Sequence, residues 1–152
     1  MKGLLILVSF VISFASCGSC SENSVSIASN ENTKSIERKM KIKIGNSIFI
    51  ATLYDNATAH SFKSLLPITV NMIELSGNEK YVDLSRSLST NASNPGTIQN
   101  GDLMLYGSST LVLFYKTFST SYSYTRLGRI DDVTGLAVAL GSGNVFVTYE
   151  LE

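Results

Sequence analysis

Between Lys39 and Ile44 the chain alternates strictly, with Met40, Ile42 and Ile44 apolar and Lys39, Lys41 and Lys43 charged. A period of two gives an extended chain one buried and one solvated face, so this segment predicts a strand. Gly45-Asn46 supplies a turn, and Ser47–Leu53 carries apolar residues on both faces, which makes the two segments a hairpin. Asp55-Asn56 then offers a helix cap. Ala59, Phe62, Leu65 and Leu66 recur at helical spacing, and Pro67 stops the helix because a proline restricts the residue before it.

Extended patterns return at Ile68–Leu75 and, after the Gly77-Asn78 turn, at Lys80–Leu84. A long polar loop through Thr90–Gly96 leads to the tight turn Asn100-Gly101. Leu103–Tyr106 and Leu111–Tyr115 read as two strands joined across Gly107, and Tyr122–Ile130 as another. Asp131-Asp132 can cap a short helix with Val133, Leu136, Ala137 and Leu140 on its buried side, ended by Gly141. Asn144–Glu150 is the last strand. The reading is mainly β: eight strands and two short helices, arranged as a barrel or a closed sandwich with helices over its ends.

Before Lys39 the pattern is different. Met1-Lys2 precedes the apolar run Leu4–Phe14, and Ala15-Ser16-Cys17 follows, the layout of a secretory signal peptide. The run is too short to span a membrane, which takes about 20 apolar residues. Residues 1–16 are therefore expected to be a signal peptide. Phe14-Ala15-Ser16-Cys17 also resembles a bacterial lipobox, with Phe14 where leucine is usual, and this resemblance implies lipid attachment at Cys17. An ordinary secreted chain is the alternative. Residues 17–38 are rich in Ser and Asn and bury too little to offset chain entropy, so they read as a flexible tether to a domain at 39–152. The expected location is the cell envelope, on the periplasmic side or at the outer membrane, with membrane contact through the lipid anchor only.

Composition narrows the chemistry. Twelve basic residues balance twelve acidic ones, which leaves no broad field for a nucleic-acid backbone. Cys17 and Cys20 form a C-x-x-C pair but abut the apolar leader instead of opening a helix after a strand, so redox chemistry is not expected. His60 is the single histidine and has no partner at catalytic or metal-ligand spacing. Gly141-Ser-Gly143 joins a helix end to a strand, the reverse of a nucleophile elbow. No phosphate loop or nucleotide fingerprint is present, and neither cofactor nor metal is expected. The suggestive constellation is aromatic and basic: strand alternation puts Tyr122, Tyr124 and Arg126 on one face, where they line a ligand groove or serve as partly exposed barrel residues.

Several strings in order, Leu53–Ala59 (LYDNATA), Leu65-Leu-Pro67, Gly77-Asn-Glu-Lys80 and Leu127–Asp131 (LGRID), resemble the bacterial cyclophilin-like proteins over Met40–Glu150. The resemblance implies an eight-stranded cyclophilin-like barrel with two helices. Cyclophilins that isomerise X-Pro bonds carry an arginine on the strand after the first helix and a histidine shortly before a Phe-Gly pair. Here Ile68–Leu75 contains no arginine, and the similar string Tyr124–Gly128 opens on Tyr124. The expected function is non-enzymatic binding of a peptide segment or small molecule, with no catalytic residue assigned. A divergent isomerase and a structural envelope module are the alternatives.

Overall fold

The structure is a computed structural model that describes residues 38–152. The expected signal peptide, the acylation candidate Cys17 and nearly all of the tether lie outside the described residues. The elements are β1 (Lys39–Ile44), β2 (Ser47–Leu53), α1 (Ala57–Lys63), β3 (Ile68–Leu75), β4 (Glu79–Asp83), β5 (Thr97–Ile98), β6 (Asp102–Tyr106), β7 (Thr110–Phe114), β8 (Phe118–Ser119), β9 (Thr125–Ile130), α2 (Leu136–Leu140) and β10 (Val145–Leu151). Eight strands close into an antiparallel barrel in the order β1-β10-β3-β4-β7-β6-β9-β2, with β2 returning to β1. The remaining pair, β5 and β8, forms a two-stranded ribbon outside the barrel.

Period-two alternation fills the interior. Met40, Ile42 and Ile44 of β1 meet Leu103 and Leu105 of β6, Leu111 and Leu113 of β7 and Val147 and Tyr149 of β10 in one core. Removal of this apolar surface from water, at about 25 cal/mol per Å2, is what holds a domain without a disulfide. α1 covers one end through Phe62, whose ring meets Tyr149 edge-on at 5.9 Å. The Tyr149 hydroxyl, fully buried, donates to Met72 Sδ at 3.0 Å, and burial pushes its pKa upward.

Two helix expectations need correction. α1 stops at Lys63, before Leu65 and Leu66; Leu65 N–H and Leu66 N–H donate to the carbonyls three residues back, at Phe62 and Lys63, tightening the last turn ahead of Pro67. The cap is as expected, since Asn56 Oδ1 accepts from Ala59 N–H at 2.8 Å. The aspartates 131 and 132 do not cap α2, which begins after Gly135 in a left-handed conformation with φ of 80°. Asp132 instead accepts from Thr134 N–H at 2.9 Å, and that bond lowers its carboxyl pKa. Asp131 pairs with Lys39 at 2.6 Å and accepts from Thr52 Oγ1 at 2.7 Å, tying α2's approach to the β1–β2 hairpin. On α2, Leu136 and Leu140 are buried at i, i+4 spacing while Ala137 is exposed.

Candidate functional site

In the sheet formed by β4, β7 and β6, the two strands β6 and β7 are apolar on both faces. Leu111 and Leu113 point inward, while Val112 and Phe114 point outward with Met104 of β6. These outward residues do not face water. They are packed under Ile98 and Phe118 of the β5–β8 ribbon and under Tyr124, forming a second, smaller core on the outside of the barrel. The two arms of the ribbon are held to each other beyond its strands by Thr120 N–H to the Gly96 carbonyl at 2.9 Å and by a reciprocal pair of backbone bonds between Ser93 and Tyr124, both 3.0 Å.

Beside this second core the ribbon leaves a cleft of about 670 Å3, a volume within the range of small-ligand sites. Its floor comes from the outward residues of β4 (Glu79, Tyr81, Asp83) and of β6 and β7 (Tyr106, Thr110, Val112), and its far wall from residues 118–122 with Tyr124. The register explains the grouping: Tyr81 pairs with Val112, Asp83 with Thr110 and Tyr106 with Thr110, so alternate residues of three strands share one face. Tyr106 links the walls, meeting Tyr122 edge-on at 6.2 Å and Tyr124 at 5.6 Å. Phe114 braces Tyr124 from behind at 5.5 Å.

Of the residues the sequence pointed to, Tyr122 and Tyr124 line this cleft and Arg126 does not. Tyr122 is 62% exposed and Tyr124 only 7%. The strand begins at Thr125, three residues later than the alternation implied, so contact with Tyr106 and the ribbon, not strand pleat, delivers Tyr122. Arg126 stands opposite Met104 on β9, exposed, with its carbonyl accepting from Asn56 Nδ2 at 2.9 Å. A bulge follows it. Gly128 opposes Leu103 and Arg126 opposes Met104, leaving Leu127 as the extra residue, buried in the barrel. Gly128 itself admits no side chain, because a Cβ there would lie 2.7 Å from the Thr52 carbonyl oxygen. His60 is exposed, 3.1 Å from Asp55.

The charges of the cleft are unbalanced. Glu79 and Asp83 are in its lining, and no Lys, Arg or His is. Asp83 Oδ1 accepts from Thr110 Oγ1 at 2.6 Å. Among the described residues nothing donates to the Glu79 carboxylate. Burial raises its pKa above the usual glutamate range, and the charge of Glu74 adds to the rise. The Tyr124 hydroxyl is pushed up as well, by burial first and then by the negative charge of Glu79. Sequence reasoning missed Glu79, Tyr81, Asp83 and Tyr106. The signal was present: β6 and β7 are apolar on both faces, which requires a cover on the outside, and β4 alternates Glu79, Tyr81 and Asp83 onto that same side.

A second polar group sits on the opposite face of the same strands, at one end of the interior. Lys80, fully buried, donates to Glu74 and to the carbonyls of Gly141 at 2.9 Å and Gly143 at 2.6 Å. Tyr115 donates its hydroxyl to both Glu74 oxygens at 2.8 and 2.9 Å, and Gly77 N–H donates to one of them at 2.8 Å. Among the described residues no cluster of three or more metal-ligating side chains occurs, and no helix is long and apolar enough to cross a membrane.

A closed eight-stranded antiparallel barrel with two short helices over it places the chain in a class of small closed β-barrels. Within that class, residues 42–150 match the cyclophilin-like family, and the chain belongs to it. The fold is also similar to that of a hypothetical protein from Archaeoglobus fulgidus solved in solution, with 16% identity, a TM-score of 0.59, and coverage of 78% of this chain and 97% of that one. No curated protein sequence matches the chain.

Proposed function

We propose that this chain is an envelope-tethered, non-enzymatic binding domain whose outer cleft takes a peptide segment or small molecule. The observation that carries the reading is the composition of the cleft: tyrosines 81, 106, 122 and 124 supply apolar area and hydroxyls, in a space large enough for a small ligand or a few residues of peptide. Isomerisation of an X-Pro bond is accelerated only by contacts stronger to the twisted amide than to the planar one. The lining holds no cation to supply such a contact, and Arg126 lies outside it. The tether is supported by the apolar leader and the lipobox-like Phe14–Cys17.

The test is a paired binding and catalysis measurement. Tyr124→Ala and Tyr122→Ala should each weaken retention of a bound peptide from a random library at least severalfold, since an aromatic side chain that a bound group covers is worth about 1–2 kcal/mol or more. A standard prolyl-peptide assay should show no acceleration, with or without Arg126→Ala. A rate enhancement abolished by Arg126→Ala would overturn the non-enzymatic reading. Membrane-fraction protein should carry acyl mass on Cys17, and Cys17→Ser should remove it.

A further inference from the structure

The cleft holds two carboxylates and no cation in a chain whose basic and acidic residues balance, twelve against twelve. That segregation has a consequence for any occupant. Filling the space with a neutral group strips water from Glu79, which is already half-buried and has no partner among the described residues, so part of the contact energy is lost to desolvation. An anion adds repulsion from both Glu79 and Asp83. A cation does the opposite: it neutralises the carboxylates as water leaves, and its positive head is attracted to the electron-rich faces of aromatic rings. Four tyrosines line the same space. Asn78, also in the lining, has an amide oxygen that is buried and lacks a donor.

We propose that the cleft selects an organic cation, an ammonium or guanidinium on an apolar stem, with Glu79 as its contacting countercharge, Asp83 at the other end of β4 adding to the negative field, and Tyr81, Tyr106, Tyr122 and Tyr124 as the surface for the stem. This rests on the reading of the cleft as a binding site and specifies what it binds. A basic side chain of a peptide and a free alkylamine share this chemistry, and the wide mouth beside exposed Tyr122 and Tyr106 admits either.

The experiment uses protein purified from cells expressing the full chain, with amide NMR shifts of residues 118–124 as readout. Three probes are titrated: N-acetyl-lysine methylamide, its neutral isostere N-acetyl-norleucine methylamide, and butylamine. The lysine probe should bind roughly 5- to 20-fold more tightly than norleucine, the range expected from one partly exposed ion pair together with cation–π contact. The preference should collapse in Glu79→Gln and in the Glu79→Gln, Asp83→Asn double variant, while norleucine binds those variants at least as well as the parent. Butylamine binding as tightly as the lysine probe identifies a free amine as the source of the cation; lysine binding more tightly identifies a peptide. Equal affinity for lysine and norleucine in the parent, or a preference that survives in the double variant, overturns the proposal and leaves the binding cleft standing. Failure of all three probes to shift these amides overturns the binding reading itself.

Discussion

Glu74 and Glu79 sit on the two arms of one hairpin, β3 and β4, five residues apart, and face opposite sides of the same sheet. Glu74 turns toward the interior, where Lys80, Tyr115 and Gly77 N–H all donate to it. Burial alone would raise its pKa; the bonds from Lys80, Tyr115 and Gly77 together outweigh that and leave it lowered. Glu79 turns outward into the cleft, meets no donor among the described residues, and burial leaves its pKa raised. One carboxylate is therefore a finished part of the fold, and the other is held at a cost to stability. The contrast teaches that burial by itself does not distinguish structure from site; the presence or absence of partners does.

The comparison breaks most sharply at Lys80. Lys80→Met keeps the volume but removes the donor to Glu74 and to two backbone carbonyls, and should cost about 3 kcal/mol in chemical denaturation, since one half of a buried pair is left uncompensated. A loss no larger than that of a surface substitution would show that the interior cluster does not hold the hairpin. Acid titration sharpens the same point. A carboxyl whose folded pKa is lowered contributes stability that is present above its unfolded value, about 4.3, and is lost as pH falls through the folded value. That acid-side loss should shrink in Lys80→Met.

Tyr115→Phe should come next, at about 1 kcal/mol, because it deletes one hydroxyl shared by two carboxylate oxygens and leaves the packing intact. Burial first, and then the bond to Glu74, push the Tyr115 pKa up to about 12, so ultraviolet titration of the phenols should lose a late step near pH 12 in this variant, with the fully buried Tyr149 still titrating after it. The smallest effect belongs to Glu79→Gln, and its sign is opposite. A raised carboxyl pKa leaves stability complete below the unfolded value and reduces it as pH rises through the folded value. Glu79→Gln should therefore be unchanged at pH 4 and slightly more stable at pH 7, by roughly 0.5 kcal/mol or less after allowance for solvent. Destabilisation at pH 7 would make Glu79 a structural group like Glu74.

The barrel was legible because its strands carry local patterns. Met40, Ile42 and Ile44 alternate with lysines, Leu103–Tyr106 and Leu111–Tyr115 are short apolar runs bounded by turn signals, and the eight strands read from these patterns are the eight that close. The ribbon was not legible, since Thr97–Ile98 and Phe118–Ser119 are two residues each and show no period. α2 was displaced because Asp131 and Asp132 have the chemistry of caps but find nearer partners in Lys39, Thr52 and Thr134. Only one wall of the candidate site was visible, in Tyr122 and Tyr124. The rest was hidden because the cleft is made by pairing β4 with β7 and β7 with β6, and no pattern along one strand tells which strand lies beside it.

The ribbon lies wholly outside the hydrogen-bonded ring, and this divides the labour of the sequence. Ile98 and Phe118 fasten it to the barrel, while Ser119–Tyr122 form the cleft wall without contributing a backbone bond to any of the eight barrel strands. Substitutions along that short stretch change the shape and chemistry of the mouth while the ring is left as it is. Variation at these four adjacent positions can thus reshape one wall of the cleft with the barrel inherited unaltered, and related chains are expected to diverge there sooner than along β6 or β7.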